Sequence, residues 1–280
     1  MCGPTASGKS ELSDTLAERE TELSGGRDVP TIAVDSMQVY RELPIITNQA
    51  RRRPAELVGV VSVTERWTVA RHREWAERIV EDLVAGARFV LDAGTGMYLN
   101  AILLDIPLSP KVPPDLRRYA QEAAQGQTNP RRAARTKELE MMGAPERGSI
   151  WEGSPRYDTT IIYLRPDRSA LDAAIAKRSA KIAHEGHQEA RLLHETLVAG
   201  VTINPSVLDS VGVRELTLHL AGDLPIREAQ DRINARTRQL ARRQMRWFDK
   251  LARTLEGRAR IQVLTGPEDA KRIHSMHGII

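Results

Sequence analysis

The 280-residue chain carries one cysteine, Cys2, so no internal disulfide can staple it. No stretch approaches the ~18 consecutive apolar residues of a membrane span, which excludes a helical membrane protein. The start, "MCGPTASGKS", lacks the basic and apolar regions of a secretory leader. Internal repeats and low-complexity tracts are also missing. The expectation is a cytoplasmic protein that depends on its hydrophobic core, and 41% apolar with 28% charged residues suits that. A net charge of +4 speaks to solubility before it speaks to partners. Its distribution says more. From Arg236 to Arg260 nine Arg or Lys stand against Asp249 and Glu256, a local excess that could meet a polyanion.

Leu12, Leu16 and Leu23 have helical spacing, and "TIAVDS" follows as a short buried strand. "ELVGVVSVT" reads as a further strand, "VARHREWAERIVEDLVAGA" as an amphipathic helix, and "RFVLDAGTG" as a strand ending in a glycine turn. This alternation predicts an α/β fold, a parallel sheet flanked by helices of the P-loop NTPase type. Prolines crowd between Pro107 and Pro114, and a polar, basic, helical stretch follows with a break at Asn129-Pro130. Residues 107–154 are therefore expected to form a small helical insertion, with 1–106 and 155–280 forming the core. "DTTIIYLRPD" returns to the sheet, and helices are expected over 168–199, 209–221 and 225–256.

Gly3, Pro4, Thr5, Ala6, Ser7, Gly8, Lys9 and Ser10 satisfy G-x-x-x-x-G-K-[ST] and lead into a helix. Backbone N–H groups of such a loop cradle phosphate, the lysine adds charge, and the serine hydroxyl can ligate Mg²⁺. The pattern specifies polyphosphate without specifying ATP. Asp35 closes the second strand in "VDSMQVYR", at the sheet edge where ligands bind, as a general base, a metal partner or a cap of the next turn. Asp92, at the end of "RFVLDAG", has a Walker B position and is a second candidate Mg²⁺ ligand beside Ser10. His184 and His187 lack a third ligand at metal spacing and read as surface residues.

Together, "GPTASGKS", "DSMQVY", "GTGMYLNAIL", "NPRRAAR", "YLRPDRSALDAAIAKRSAKIAHEG", "SVGVREL" and "TRQLARRQMRWF" resemble the tRNA dimethylallyltransferase (tRNA isopentenyltransferase) family over most of the chain. The resemblance implies transfer of a dimethylallyl group from dimethylallyl diphosphate to N6 of the adenosine 3′ of the anticodon, in tRNAs reading codons that begin with U. It implies Mg²⁺ as cofactor, the tRNA anticodon stem-loop as partner, no membrane, and a monomer. By the same resemblance the P-loop holds the donor's diphosphate, Asp35 is the base, Thr5 touches the leaving oxygen and Arg214 supports the diphosphate. Asp35, Ser36, Met37, Gln38 and Thr95 would meet the target nucleotide, and Arg131, Arg132, Arg135, Arg238, Gln239, Arg242 and Arg243 would grip the tRNA.

The insertion looks shorter than the family's, Ala55-Glu56 stands where a His pair is common, and no Cys/His tail follows. A P-loop also needs a preceding strand of about five residues, whereas only Met1 and Cys2 precede Gly3, so a start upstream of Met1 is expected. Competing readings are an adenylate isopentenyltransferase acting on free AMP, ADP or ATP, a P-loop kinase or ATPase if Asp92 is a true Walker B residue, and an inactive RNA-binding remnant. The basic C-terminal helix and the retained "NPRRAAR" argue against the first of these.

Overall fold

A computed structural model describes residues 1–108, 112–143, 149–266 and 269. In chain order the elements are α1 (Lys9–Leu23), β1 (Thr31–Val34), α2 (Val69–Glu81), β2 (Val90–Ala93), α3 (Gly96–Leu103), α4 (Pro114–Ala123), α5 (Pro130–Met141), β3 (Thr160–Leu164), α6 (Arg168–Glu185), α7 (His187–Val198), α8 (Pro205–Leu208), α9 (Val213–Leu220), α10 (Ile226–Thr254) and β4 (Arg260–Leu264). The expected α/β class is present. β1 pairs with β2 and β3 with β4, both in parallel, and Cys2 bridges the two pairs through parallel contacts to Ala93 and Tyr163. The spatial order is therefore β1, β2, Met1-Cys2, β3, β4.

Met1 and Cys2 thus lie in strand register at the centre of the sheet. The Met1 amine donates to Leu91 O at 2.9 Å. Ala93 N donates to Met1 O, Cys2 N to Ile162 O and Leu164 N to Cys2 O, each at 2.9 Å. Side chains alternate as in any strand. Met1 packs with Leu12, Ile162 and Leu164, while Cys2 joins the main core with Leu99, Leu103 and Phe248. Burial pushes the Cys2 thiol up to about 12, so it behaves as a small apolar side chain.

The "ELVGVVSVT" run does not form the expected strand. Glu56 pairs with Ile32 and Val61 with Tyr40 as isolated bridges. Leu57 and Gly59 between them have φ of 64° and 62°, and such left-handed residues cannot continue an extended ladder. The helix expected over 168–199 is divided at Gly186, where a Cβ would lie 2.7 Å from Ile182 O. β4 was not anticipated: "RIQVL" is a partly exposed edge strand with little apolar alternation. Within 107–154, α4 and α5 pack on each other, and Glu138, 7% exposed at its side chain, takes ion pairs from both Arg117 and Arg135.

A second core, formed by Tyr40, Leu43, Ile46, Leu193, Val213, Leu216 and Ile233, ties α7, α9 and α10 to the loop after β1. α2 connects the two cores. Its His72 is fully buried, and Nδ1 accepts from Trp67 Nε1 at 3.0 Å. Burial holds His72 down to about 4, only partly offset by a hydrogen bond to the Ala33 backbone. Since its folded pKa lies below the unfolded value of 6.5, the unfolded chain takes up the proton first. Stability should fall as pH drops from 6.5 toward about 4, by up to about 3 kcal/mol from this group. Urea unfolding at pH 7 and pH 5 checks this, with His72→Gln expected to lose that part of the pH dependence.

Candidate active site

The parallel sheet delivers four chain segments to one edge: Gly3 after the Met1-Cys2 bridge, Asp35 after β1, Gly94 after β2 and α6 after β3. The P-loop conformation rests on two left-handed residues, Ala6 at φ 64° and Gly8 at φ 84°. Gly8 caps α1 with no side-chain hydrogen bond, leaving first-turn N–H donors for an anion. Ser7 Oγ is buried and has no hydrogen-bond partner among the described residues. A nest of backbone N–H groups beside an orphaned hydroxyl is a site suited to phosphate oxygens.

Asp35 divides its carboxylate. Oδ1 accepts from Met37 N at 2.8 Å and caps the turn, whereas Oδ2 points across to the Gly94 turn. A Cβ on Gly94 would lie 2.6 Å from Asp35 Oδ2 and 3.5 Å from Lys9 Nζ, so a carboxylate and an ammonium converge where only glycine fits. The Thr95 hydroxyl accepts from Ser36 N at 3.1 Å and holds the two strand ends together. Trp247 lies against Gly96 and donates from Nε1 to Asn100 Oδ1 at 3.2 Å.

A cavity of about 710 Å³ opens beside the loop, lined by Ser7, Lys9, Ser10 and Arg51 on one side and Lys177 and Arg178 of α6 on the other. Arg178 is only half-buried overall, but its guanidinium lies in a recess where burial lowers its pKa against the opposing charge of Asp35. The sequence reading did not single out these α6 cations. Their signal was "AKRSAK", which is hard to separate from a solvated helix face.

Asp92 is 2% exposed and forms an ion pair with Arg51, which also lies 3.7 Å from Asp14. Burial works to raise the Asp92 pKa, but the charges of Lys9 and Arg51 and hydrogen bonds from Ser10 and Arg51 outweigh it and leave the carboxyl below its usual value. Asp92 Oδ1 is buried without a partner of good geometry among the described residues. A serine hydroxyl beside an orphaned carboxylate oxygen suits Mg²⁺, which takes one or two protein oxygens and completes its shell with phosphate and water. Ser10 and Asp92 therefore fit the ion expected for the loop.

Other candidates lie elsewhere. Thr5 is 6% exposed, and its N–H donates to Gln244 Oε1 at 2.8 Å. Gln244 Nε2 in turn donates to Gly94 O at 2.8 Å, a clamp from α10 that the sequence reading missed. Arg214 stands exposed in the first turn of α9, 3.4 Å from Asp209, and does not line the cavity. Gln38 spends its amide donors on Thr47 O and Asn48 O, and Met37 packs against the second core. Gln239, Arg242 and Arg243 are exposed on α10, while Arg238 is 3.3 Å from Asp172 of α6. Arg132 is exposed on α5 and Arg135 pairs with Glu138, whereas the Arg131 side chain lies outside the described residues.

The IPP transferase family model matches residues 38–144 and 121–251. A tRNA dimethylallyltransferase of Rubrobacter xylanophilus is 63% identical over 283 aligned residues, covering 100% of this chain and 97% of the relative. Another, tRNA dimethylallyltransferase 1 of Citrifermentans bemidjiense, is 31% identical over 89% of this chain and 87% of its own. Among solved structures, a eukaryotic dimethylallyltransferase acting on tRNA superposes with a TM-score of 0.75 at 22% identity, covering 99% of this chain and 77% of that one. The tRNA isopentenylpyrophosphate transferase of Bacillus halodurans gives a TM-score of 0.71 at 22% identity, covering 99% and 94%. With a phosphate loop, a strand-end carboxylate and a glycine turn at one edge of a parallel sheet, and with the family model covering most of its length, this chain belongs to the IPP transferase family.

Proposed function

We propose that the protein is a tRNA dimethylallyltransferase that moves a dimethylallyl group from dimethylallyl diphosphate to N6 of the adenosine 3′ of the anticodon, in the cytoplasm. The observation that carries this reading is the convergence of Asp35 Oδ2 and Lys9 on Gly94. A group transfer from a diphosphate to an amine needs a proton acceptor and a phosphate-binding cation at one point. The donor's C–O bond breaks as the C–N bond forms, diphosphate leaves, and the N6 proton passes to Asp35.

The loop N–H groups, Lys9 and Arg178 receive the charge that develops on the departing diphosphate, in a site shaped before the donor arrives. Thr5 contributes its hydroxyl, since Gln244 occupies its N–H. Ser10 and Asp92 would hold Mg²⁺, which would supply further neutralisation of that charge. Arg214, exposed and paired with Asp209, lies outside the lining of the cavity, and its support of the diphosphate rests on the resemblance alone. The exposed Gln239, Arg242 and Arg243 of α10, with Arg132 on α5, supply contacts to RNA phosphates, and the target base is drawn from its stack toward Thr95.

Mass spectrometry of nucleosides after incubation with dimethylallyl diphosphate and either tRNA or AMP tests the reading. Prenylated adenosine next to the anticodon is expected, and prenylation of AMP alone overturns it. Asp35→Asn should lose turnover by ~10²–10⁴-fold while still binding the donor, measured by single-turnover kinetics and donor titration. Arg178→Gln removes a charge-assisted contact and should weaken the apparent affinity for the donor by roughly 10–100-fold, with a smaller change in tRNA binding.

A further inference from the structure

The exposed basic residues of α10 stop short of the glycine turn, and an aromatic pair fills the interval. At ~100° of helix per residue, Arg242, Arg243, Arg246 and Lys250 share about 100° of the circumference, and all four are exposed. Trp247 borders that arc about 40° further round, and Gln244, which holds Thr5 N and Gly94 O, lies about 60° beyond Trp247. An indole therefore stands between the basic face and the site.

Trp247 is not alone there. Its ring centroid is 4.9 Å from that of Trp151, with the planes tilted by 43°, and both rings are half-buried. Lys250 Nζ lies over the Trp151 ring, 4.4 Å from its centroid. The backbone on both sides of Trp151 is fixed, since Asn100 Nδ2 donates to Ile150 O at 3.0 Å and Arg258 Nη2 to Gly153 O at 2.7 Å. Asn100 is fully buried and also accepts from Trp247 Nε1 at 3.2 Å, so one side chain sets both rings. A pair held in this way has little freedom left to lose when a ligand lands on it.

We infer that Trp151, backed by Trp247, is a stacking platform for an unpaired base of the tRNA loop, a neighbour of the target adenosine, with Lys250 taking the adjoining phosphate. This rests on the protein acting on tRNA, as proposed. Drawing the target adenosine out of its stack strips a neighbouring base of one partner, and an indole face replaces it. The target itself goes to Gly94, beside Asp35 Oδ2, whereas Trp247 lies two residues further along the turn, against Gly96. The rings thus receive the next base. An exposed ammonium–ring contact is weaker than the stacking of a base on an indole, so the base displaces Lys250 from Trp151 and frees its charge for a phosphate. Every base has a π-face, which makes the platform indifferent to which base it holds.

The test titrates a synthetic anticodon stem-loop, intact or with one loop base at a time made abasic, against the unaltered protein, Trp151→Ala and Trp151→Phe. Trp151→Ala is expected to weaken binding of the intact stem-loop by roughly 5–100-fold, and Trp151→Phe by less than about 3-fold. At one position next to the target adenosine, the abasic stem-loop should lose that same factor against the unaltered protein and nothing further against Trp151→Ala. Exchanging that base for another should leave affinity within about 3-fold. Additive losses at every loop position, or a lowered Tm of Trp151→Ala with unchanged RNA affinity, overturn the platform. Lys250→Gln is expected to flatten the slope of log Kd against log salt by about one, and an unchanged slope overturns the transfer of its ammonium to phosphate. Prenylation of the stem-loop by the unaltered protein without coupling between Trp151 and any loop base sinks the platform alone, whereas neither binding nor prenylation of the stem-loop sinks the tRNA reading with it.

Discussion

Four backbone hydrogen bonds made by Met1 and Cys2 hold the sheet together. Without them β1 and β2 would form one two-stranded ribbon and β3 and β4 another, each too small to be stable alone. Because the bridge lies between β2 and β3, the loop that follows it emerges midway along the sheet edge. The Gly94 turn and α6 then flank it, and Asp35 reaches it from the next strand over. Gly3 keeps that exit narrow: a Cβ there would lie 2.8 Å from Leu164 O. The convergence of carboxylate, ammonium and phosphate nest is a product of strand order before it is a product of any one side chain.

The charges around the loop are balanced before any substrate arrives. Arg51 lies between Asp14 and Asp92 with all three side chains at most 4% exposed, and Lys9 acts on Asp92 from the other side. Arg178 faces Asp35. Each inner cation thus has a carboxylate to answer, which limits the desolvation cost of burying them. Under the proposed chemistry a diphosphate entering this site would bring more negative charge than the inner cations have to spare, and Lys177 of α6 with a divalent ion at Ser10 and Asp92 would be the remaining sources of positive charge.

Local patterns made much of the site legible. The P-loop is written as glycines and a lysine at fixed spacing, and its left-handed Gly8 is a position where glycine is the natural choice. Asp35 and the Gly94 turn follow strands whose short β-branched runs are easy to read. Other parts depended on long-range partners. Arg51 looks like one of three arginines in "RRR" until Asp14 and Asp92, far away in sequence, enclose it. Arg178 and Gln244 sit on helices whose polar residues give no sign of which face meets the loop. The run after Pro54 shows the opposite failure, since its β-branched composition suggested a strand that Leu57 and Gly59 interrupt with positive φ. β4 was obscured because an edge strand exposes the residues that would otherwise alternate.

Gln244 follows directly after Arg242 and Arg243 on α10, and it grips both Thr5 N and Gly94 O. One side chain of α10 therefore fixes the spacing between the phosphate loop and the glycine turn, two segments about ninety residues apart in the chain, on the same helix that carries the exposed basic face.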